Sequence, residues 1–225
     1  MILPGLIDLH GHPEFNIFAA WEPPEQYKNR YQWRGSDVYH ALIREPMDKL
    51  LLELRQEGTA PGPQVLGRYA ELRALIGGVT AIQGSTSADP GESLVRNVDR
   101  RIFGAHRARS VVDPLKKTGA DLEKLRAELA TGAVNALYVH IAEGTDEASR
   151  RELPQLVEKG LLTPATILIH GTALDRPQIG LRRRDRTLAV HGTTERVDDA
   201  AAHLQTGRHR DDATGGAHRI AFLDL

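Results

Sequence analysis

The sequence predicts an α/β fold, a parallel sheet covered by helices, arranged either as a (β/α) barrel or as a doubly wound sheet. Three observations carry that prediction. Short, nearly continuous apolar runs alternate with helix-patterned segments between residues 6 and 170. Three of those runs close on a histidine, at His10, His140 and His170. The 225 residues are 40% hydrophobic and 26% charged, a balance that excludes a mostly disordered chain.

Leu6-Ile7-Asp8-Leu9-His10, ended by Gly11, reads as a buried strand leading into a loop. The stretch from Trp21 to Trp33 contains Pro23, Pro24 and several aromatics and reads as a long loop. Asp37 to Glu57 has Leu42, Ile43, Leu50, Leu51 and Leu54 at helical spacing, with an interruption expected near Pro46. After a Pro/Gly connector, Val65 to Leu75 is a second helix, stopped by Gly77-Gly78. Val79 to Ile82 is a strand ending at Gly84-Ser85, and Leu115 to Ala130 is an amphipathic helix. Ala136 to Ile141 and Ala165 to His170 are strands, with a helix from Asp146 to Lys159 between them. Six barrel-type strands are plausible on this reading.

The last 50 residues differ in kind. Residues 176–225 hold nine Arg, no Lys, one Glu and four of the ten histidines, whereas an ordinary helical segment carries Glu and Lys. Residues 179–225 are therefore expected to form an irregular tail, read out of the original frame after about residue 178; a divergent exposed helix with a basic patch is the alternative.

The whole-chain numbers exclude several functions. Lys and Arg (29) balance Asp and Glu (30) for a net charge of −1, so no basic field points to nucleic acid. The chain has no cysteine, which removes disulfides, thiolate zinc sites and cysteine nucleophiles. No apolar run reaches the roughly 20 residues of a membrane span, and the N-terminus lacks signal-peptide character. The expected location is the cytoplasm.

Chemistry concentrates at the strand ends. In Asp8-Leu9-His10-Gly11-His12 the two histidines are two apart, so in an extended chain both imidazoles face the same way and can converge on one ion. The alternative is one buried and one exposed imidazole. In Val139-His140-Ile141-Ala142-Glu143-Gly144, His140 closes a strand and Glu143 follows in the loop, where a carboxylate can move a proton beside a metal site. Its alternative role is the N-terminal charge of the next helix. Ile169-His170-Gly171-Thr172 repeats the strand-histidine-glycine pattern. Parallel strands put all three ends on one side of the sheet. His40 and His106 read as surface residues.

These motifs resemble the amidohydrolase superfamily, in particular its cytosine deaminase, guanine deaminase and triazine chlorohydrolase branch. Pro4-Gly5-Leu6-Ile7-Asp8-Leu9-His10-Gly11-His12 is similar to that family's first barrel strand, and Gly77-Gly78-Val79-Thr80-Ala81 to its second. His140-Ile141-Ala142-Glu143 resembles its His-x-x-Glu motif, and Ile169-His170-Gly171 its next strand end. The resemblance spans roughly residues 1–178 and implies an incomplete (β/α)8 TIM-barrel domain there. It implies His10, His12 and His140 as ligands of one divalent metal ion, zinc or alternatively iron. Glu143 would shuttle protons, and His170 would orient water or stabilise developing charge. The implied activity is hydrolysis of C–N bonds, other than peptide bonds, in a small cyclic nitrogen-containing substrate. No nucleic acid or membrane partner is implied. Alternatives are an inactive fragment that holds metal weakly or not at all, and a metal phosphoesterase on a similar barrel.

Two departures accompany the resemblance. The family's β-sandwich segment before the first strand has no counterpart ahead of Met1, so the chain is expected to be shortened there. The family's eighth-strand Asp, a ligand and base, has no matching motif; Asp211, Asp212 and Asp224 qualify by residue type alone. In the loop after the first strand, the aromatics of residues 21–33 are candidates to stack on a planar ring, with Arg30 or Asn29 at its polar edge. A packed surface loop is the alternative.

Overall fold

The computed structural model describes residues 4–12, 25–56, 64–84, 93–104, 106–179 and 188–190, together with Phe15, Ile17, Phe18 and Pro23. Seven strands occur among them: β1 (Leu6–Asp8), β2 (Val79–Ile82), β3 (Arg96–Asn97), β4 (Ala108–Val111), β5 (Ala136–Ile141), β6 (Thr166–His170) and β7 (Leu188–Val190). Every strand pair is parallel, and the strands form two sheets, ordered β1-β2-β3 and β4-β5-β6-β7. The predicted class, α/β with parallel strands, is the observed one. The described strands form two open sheets and do not close into a ring.

The helical segments are α1 (Arg30–Arg34), a continuous run of α2 (Asp37–Tyr39), a π-helical stretch (His40–Arg44) and α3 (Glu45–Gln56), then α4 (Gln64–Ile76), a second π stretch (Asp99–Phe103), a 3₁₀ turn (Pro114–Lys116), α5 (Gly119–Ala130), α6 (Glu147–Arg150) and α7 (Glu152–Glu158). Several differ from the sequence expectation for identifiable reasons. The supposed loop before Trp33 contains α1, because the Asn29 side chain accepts hydrogen bonds from the Tyr31 and Gln32 backbone N–H groups, an N-cap that starts a helix despite the prolines upstream. Pro46 does not break its helix. The π stretch directly before it widens the backbone, which accommodates the ring and the missing N–H. The helix expected over 146–159 is split at Arg151. Pro154 cannot donate to the Arg150 carbonyl, and Gln178 Nε2 takes that acceptor instead at 3.0 Å.

Strand β5 is buried at all six positions, and its alternation sorts two layers. Leu137, Val139 and Ile141 pack with Leu122, Leu125, Leu153, Leu156 and Leu168 under α5 and α7. Ala136 and Tyr138 face the other way, against Ile167, Ile169, Leu9 and Phe103. His140 shares their parity, so the pleat that buries the helix layer also points this imidazole away from it.

Most of the expected irregular tail lies outside the described residues. Within it, Leu188–Val190 forms β7 and pairs in parallel with Ile167–Ile169 of β6, a strand the sequence reading did not place. With β3 and β4, it brings the described strands above the six expected. No helix among the described residues is long and apolar enough to cross a membrane.

Candidate metal centre

The ends of β1, β2, β5 and β6 build one cluster. The Asp8 carboxylate accepts the His10 backbone N–H at 3.0 Å, a local turn that swings the chain out of β1 and presents His10 and His12 together. Gly84, just past β2, has φ +81°, and a Cβ there would lie 2.6 Å from the Gly11 carbonyl oxygen. Glycine at this position lets the second strand end close against the His-Gly-His turn.

Three imidazoles meet there. His10, His12 and His140 each offer a ligand nitrogen, all within 4.8 Å of one another. The Nε2 atoms of His12 and His140 are 3.0 Å apart. Two nitrogens bound at about 2.0–2.1 Å to a tetrahedral ion lie about 3.3 Å apart, so a small outward shift accommodates one. His10 Nδ1 contacts Gln83 Oε1 at 3.1 Å. Since an amide oxygen only accepts, that ring nitrogen carries the hydrogen, and Nε2 keeps its lone pair. His10 Nε2 is buried without a hydrogen-bond partner, as is His140 Nδ1, and buried orphan nitrogens in a histidine cluster suit a cation. The donor set, three neutral imidazoles, is the chemistry that zinc or iron accepts.

Burial and the neighbouring His12 pull the His10 imidazole down to about 4. Burial, with His10, His170, His12 and Arg30 nearby, lowers His140 to about 2. Both rings are therefore uncharged at neutral pH and available as ligands. His170 is lowered to about 3 by burial, His10 and Arg30.

His170 reaches the cluster by an irregular route. It shares strand parity with Leu168, which faces the helix layer, so plain alternation would aim its ring the same way. Its φ is +66°, a left-handed conformation in which His is enriched, and the ring comes to 5.3 Å from that of His140 and 6.3 Å from that of His10. His170 Nε2 is 3.3 Å from Glu143 Oε2. Burial raises the Glu143 carboxyl, against opposition from Arg30, a hydrogen bond from Trp33, and Arg34. The structure thus brings His10, His12, His140, Glu143 and His170 into one neighbourhood, while His40 and His106 are exposed elsewhere.

Three polar contributors have roles that the sequence did not suggest. Gln83 supports His10. Trp33, on α1, bonds to Glu143 rather than lying in a loose loop. Arg30, a candidate for the substrate's polar edge, is 1% exposed and turned inward. Its Nη1 donates to the carbonyls of His140 (2.8 Å) and Val112 (2.9 Å), and its Nη2 lies 3.7 Å from Glu152. Asn29, the other candidate, caps α1. The prolines of residues 23 and 24 masked the one local cue, an Asn three residues before Gln32 with Gly35 beyond.

No protein-family model matches the chain. Two curated relatives do, both named 5-methylthioadenosine/S-adenosylhomocysteine deaminase. The one from Saccharophagus degradans is 26% identical over 225 aligned positions, covering 85% of this chain and 49% of that protein. The one from Teredinibacter turnerae is 23% identical over 272 positions, covering 100% and 58%. The chain thus spans about half the length of the curated relatives it matches. Among solved structures, an atrazine chlorohydrolase variant from Arthrobacter aurescens TC1, complexed with zinc and atraton, superposes with a TM-score of 0.54 at 16% identity, covering 84% of this chain and 53% of that one. That likeness concerns the fold, and the relatives are deaminases by name. Their names agree with the amidohydrolase superfamily that the motifs at the ends of β1, β2, β5 and β6 resemble.

Proposed function

We propose that this chain carries the metal centre of a hydrolase that cleaves C–N bonds, other than peptide bonds, in a small cyclic nitrogen-containing substrate, in the manner of a deaminase. The observation that carries the reading is the convergence of His10, His12 and His140 with a buried, bare Nε2 on His10. These three residues would hold one divalent ion, zinc by donor type. Such an ion, when bound, supplies Lewis acidity that makes water nucleophilic at neutral pH.

The remaining residues handle protons and position. Glu143, its carboxyl raised by burial, is suited to hold a proton and deliver it to the departing nitrogen. His170 stands 3.3 Å from that carboxylate and can fix its orientation while facing the developing oxyanion. Trp33 steadies Glu143 from the other side. The names of the relatives favour a purine-type amino group as the leaving group, and a cyclic amidine or amide is the substrate class to try first.

A second reading is an amidohydrolase domain that binds metal weakly and does not turn over. Its support is the donor set itself, three neutral imidazoles that leave the ion's charge uncompensated. One experiment separates the two. Metal stoichiometry is measured on the purified parent, His12→Ala and His140→Ala, and activity on adenosine-like, cytosine-like and triazine substrates is assayed alongside. The ligand assignment predicts loss of metal in both variants, and equal content in all three proteins overturns it. Metal binding with turnover supports the enzyme; metal binding without turnover supports the second reading.

A further inference from the structure

We propose that Gln83, held by Asp99, is a positioning residue that sets the His10 ring with its hydrogen on Nδ1 and its lone pair on Nε2. The inference rests on the reading of His10 as a ligand and assigns the ligand's orientation to a residue outside the ligand set.

Gln83 follows β2 directly and is 1% exposed. Its backbone N–H donates to the Asp8 carbonyl at 2.8 Å, which ties it to the strand end that bears His10. Its side-chain Oε1 is 3.1 Å from His10 Nδ1, and its Nε2 donates to Asp99 Oδ2 at 3.3 Å. Asp99 also accepts the Gly84 backbone N–H, at 3.4 Å. A carboxylate only accepts, so the Gln83 amide can face Asp99 in one sense only, with NH₂ towards the carboxylate and C=O towards His10. Flipping the amide would set its oxygen against the Asp99 carboxylate oxygen. The relay Asp99–Gln83–His10 therefore selects one tautomer and leaves the buried Nε2 without a hydrogen, the form a metal ligand requires.

The test uses the full chain with three variants whose folding is checked by thermal melting. Gln83→Met keeps the volume and removes the acceptor. The double variant Gln83→Glu with Asp99→Asn keeps an acceptor oxygen on His10 and gives the other carboxylate oxygen an amide donor to meet. Asp99→Leu frees the amide to turn. Two quantities are read: the zinc dissociation constant by competition with a chromophoric chelator, and the His10 tautomer in the metal-free protein by imidazole ¹⁵N NMR. The parent should show a single Nδ1–H tautomer. Gln83→Met and Asp99→Leu should show mixed tautomers, with Gln83→Met binding zinc about 10–100-fold more weakly, the usual penalty for losing such a supporting contact. The double variant should keep the single Nδ1–H tautomer and bind zinc no more weakly than the parent. A retained Nδ1–H tautomer with parental zinc affinity in Gln83→Met overturns the inference. So does the double variant losing as much as Gln83→Met, which would indicate packing rather than the acceptor. If the parent takes up no zinc, the metal-centre reading falls, and the tautomer comparison still decides the role of Gln83.

Discussion

Replacing Arg30 with Met tests how the cluster is held from behind. The guanidinium is 1% exposed, donates to the carbonyls of His140 and Val112, and lies 3.7 Å from Glu152, whose side chain is 5% exposed. Glu152 in turn accepts the Ala142 N–H at 2.7 Å and the Tyr31 hydroxyl at 2.8 Å. Arg30→Met keeps most of the volume but leaves Glu152 a buried charge without its close cation. Removing one partner of a buried pair costs about 3–5 kcal/mol. In a chain of this size each kcal/mol moves Tm by about 2–4 °C, so Tm should fall by roughly 6–20 °C. Urea denaturation gives the free energy directly. The double variant Arg30→Met with Glu152→Gln removes the stranded charge and should recover about 1–3 kcal/mol, the coupling range for contacting residues. A cost below about 1 kcal/mol for the single variant, or strict additivity in the double, would refute the picture of Arg30 as a buried electrostatic brace.

Four further outcomes are expected. Gly144→Ala should destabilise by about 1–3 kcal/mol through overpacking, because a Cβ there would meet the Lys28 carbonyl oxygen at 2.5 Å and Asn29 Cα at 2.9 Å; a neutral result in denaturant titration would count against that close approach. His170→Val should be less stable than His170→Asn by about 1–2 kcal/mol, since a β-branched residue resists a φ of +66° far more than Asn does; equal melting temperatures would argue against the left-handed strand end. Asp146→Asn probes pH dependence. The carboxylate is lowered chiefly by its cap bond to the Ser149 N–H, so its charge contributes stability above the unfolded carboxyl pKa of about 3.9 and loses it as pH falls through the lower folded value. The parent's advantage over Asp146→Asn should therefore be present in full at pH 6, begin to fall near about pH 4 and vanish only below the lowered folded value; an advantage that grows on acidification contradicts the assignment. Zinc at 100 times its dissociation constant should stabilise the parent by about 2.7 kcal/mol and leave His12→Ala unmoved; a shift in both would place the ion elsewhere.

The legible parts of this protein were those with physics written locally. Ala136–Ile141 and Thr166–His170 are buried almost throughout, so their sequences are unbroken apolar runs and their limits were readable to within a residue. The five residues proposed for the site stand at or just past strand ends whose apolar runs mark them in the sequence. Strand β3 is two polar residues, Arg96 and Asn97, and β4 is Ala-Arg-Ser-Val; neither carries an apolar run, and both are strands because a neighbour offers a parallel edge. Leu188-Ala189-Val190-His191-Gly192 does repeat the strand-histidine-glycine signal, but the arginine-rich surroundings concealed it. The roles of Gln83 and Arg30 could not be read locally. Their partners lie 73 and 110 positions away, and a buried polar side chain far from its partner looks in sequence like any surface residue.

The meeting of Lys28–Arg30 with Glu143–Thr145 bears on access to the cluster. Asn29 bridges Gly144 in antiparallel fashion, Arg30 N–H reaches the Glu143 carbonyl at 3.0 Å, and Thr145 N–H reaches the Lys28 carbonyl at 2.8 Å. Trp33 and its T-shaped partner Tyr39, with ring centroids 5.0 Å apart, continue from that seam. This side of the site is a jamb rather than a door. To swing outward it would have to break both backbone bonds and pull the buried Arg30 from its carbonyls, a sub-global opening rather than a loop fluctuation. The loop that carries Glu143 is thus set in place before any ligand arrives, and its shape is part of the fold.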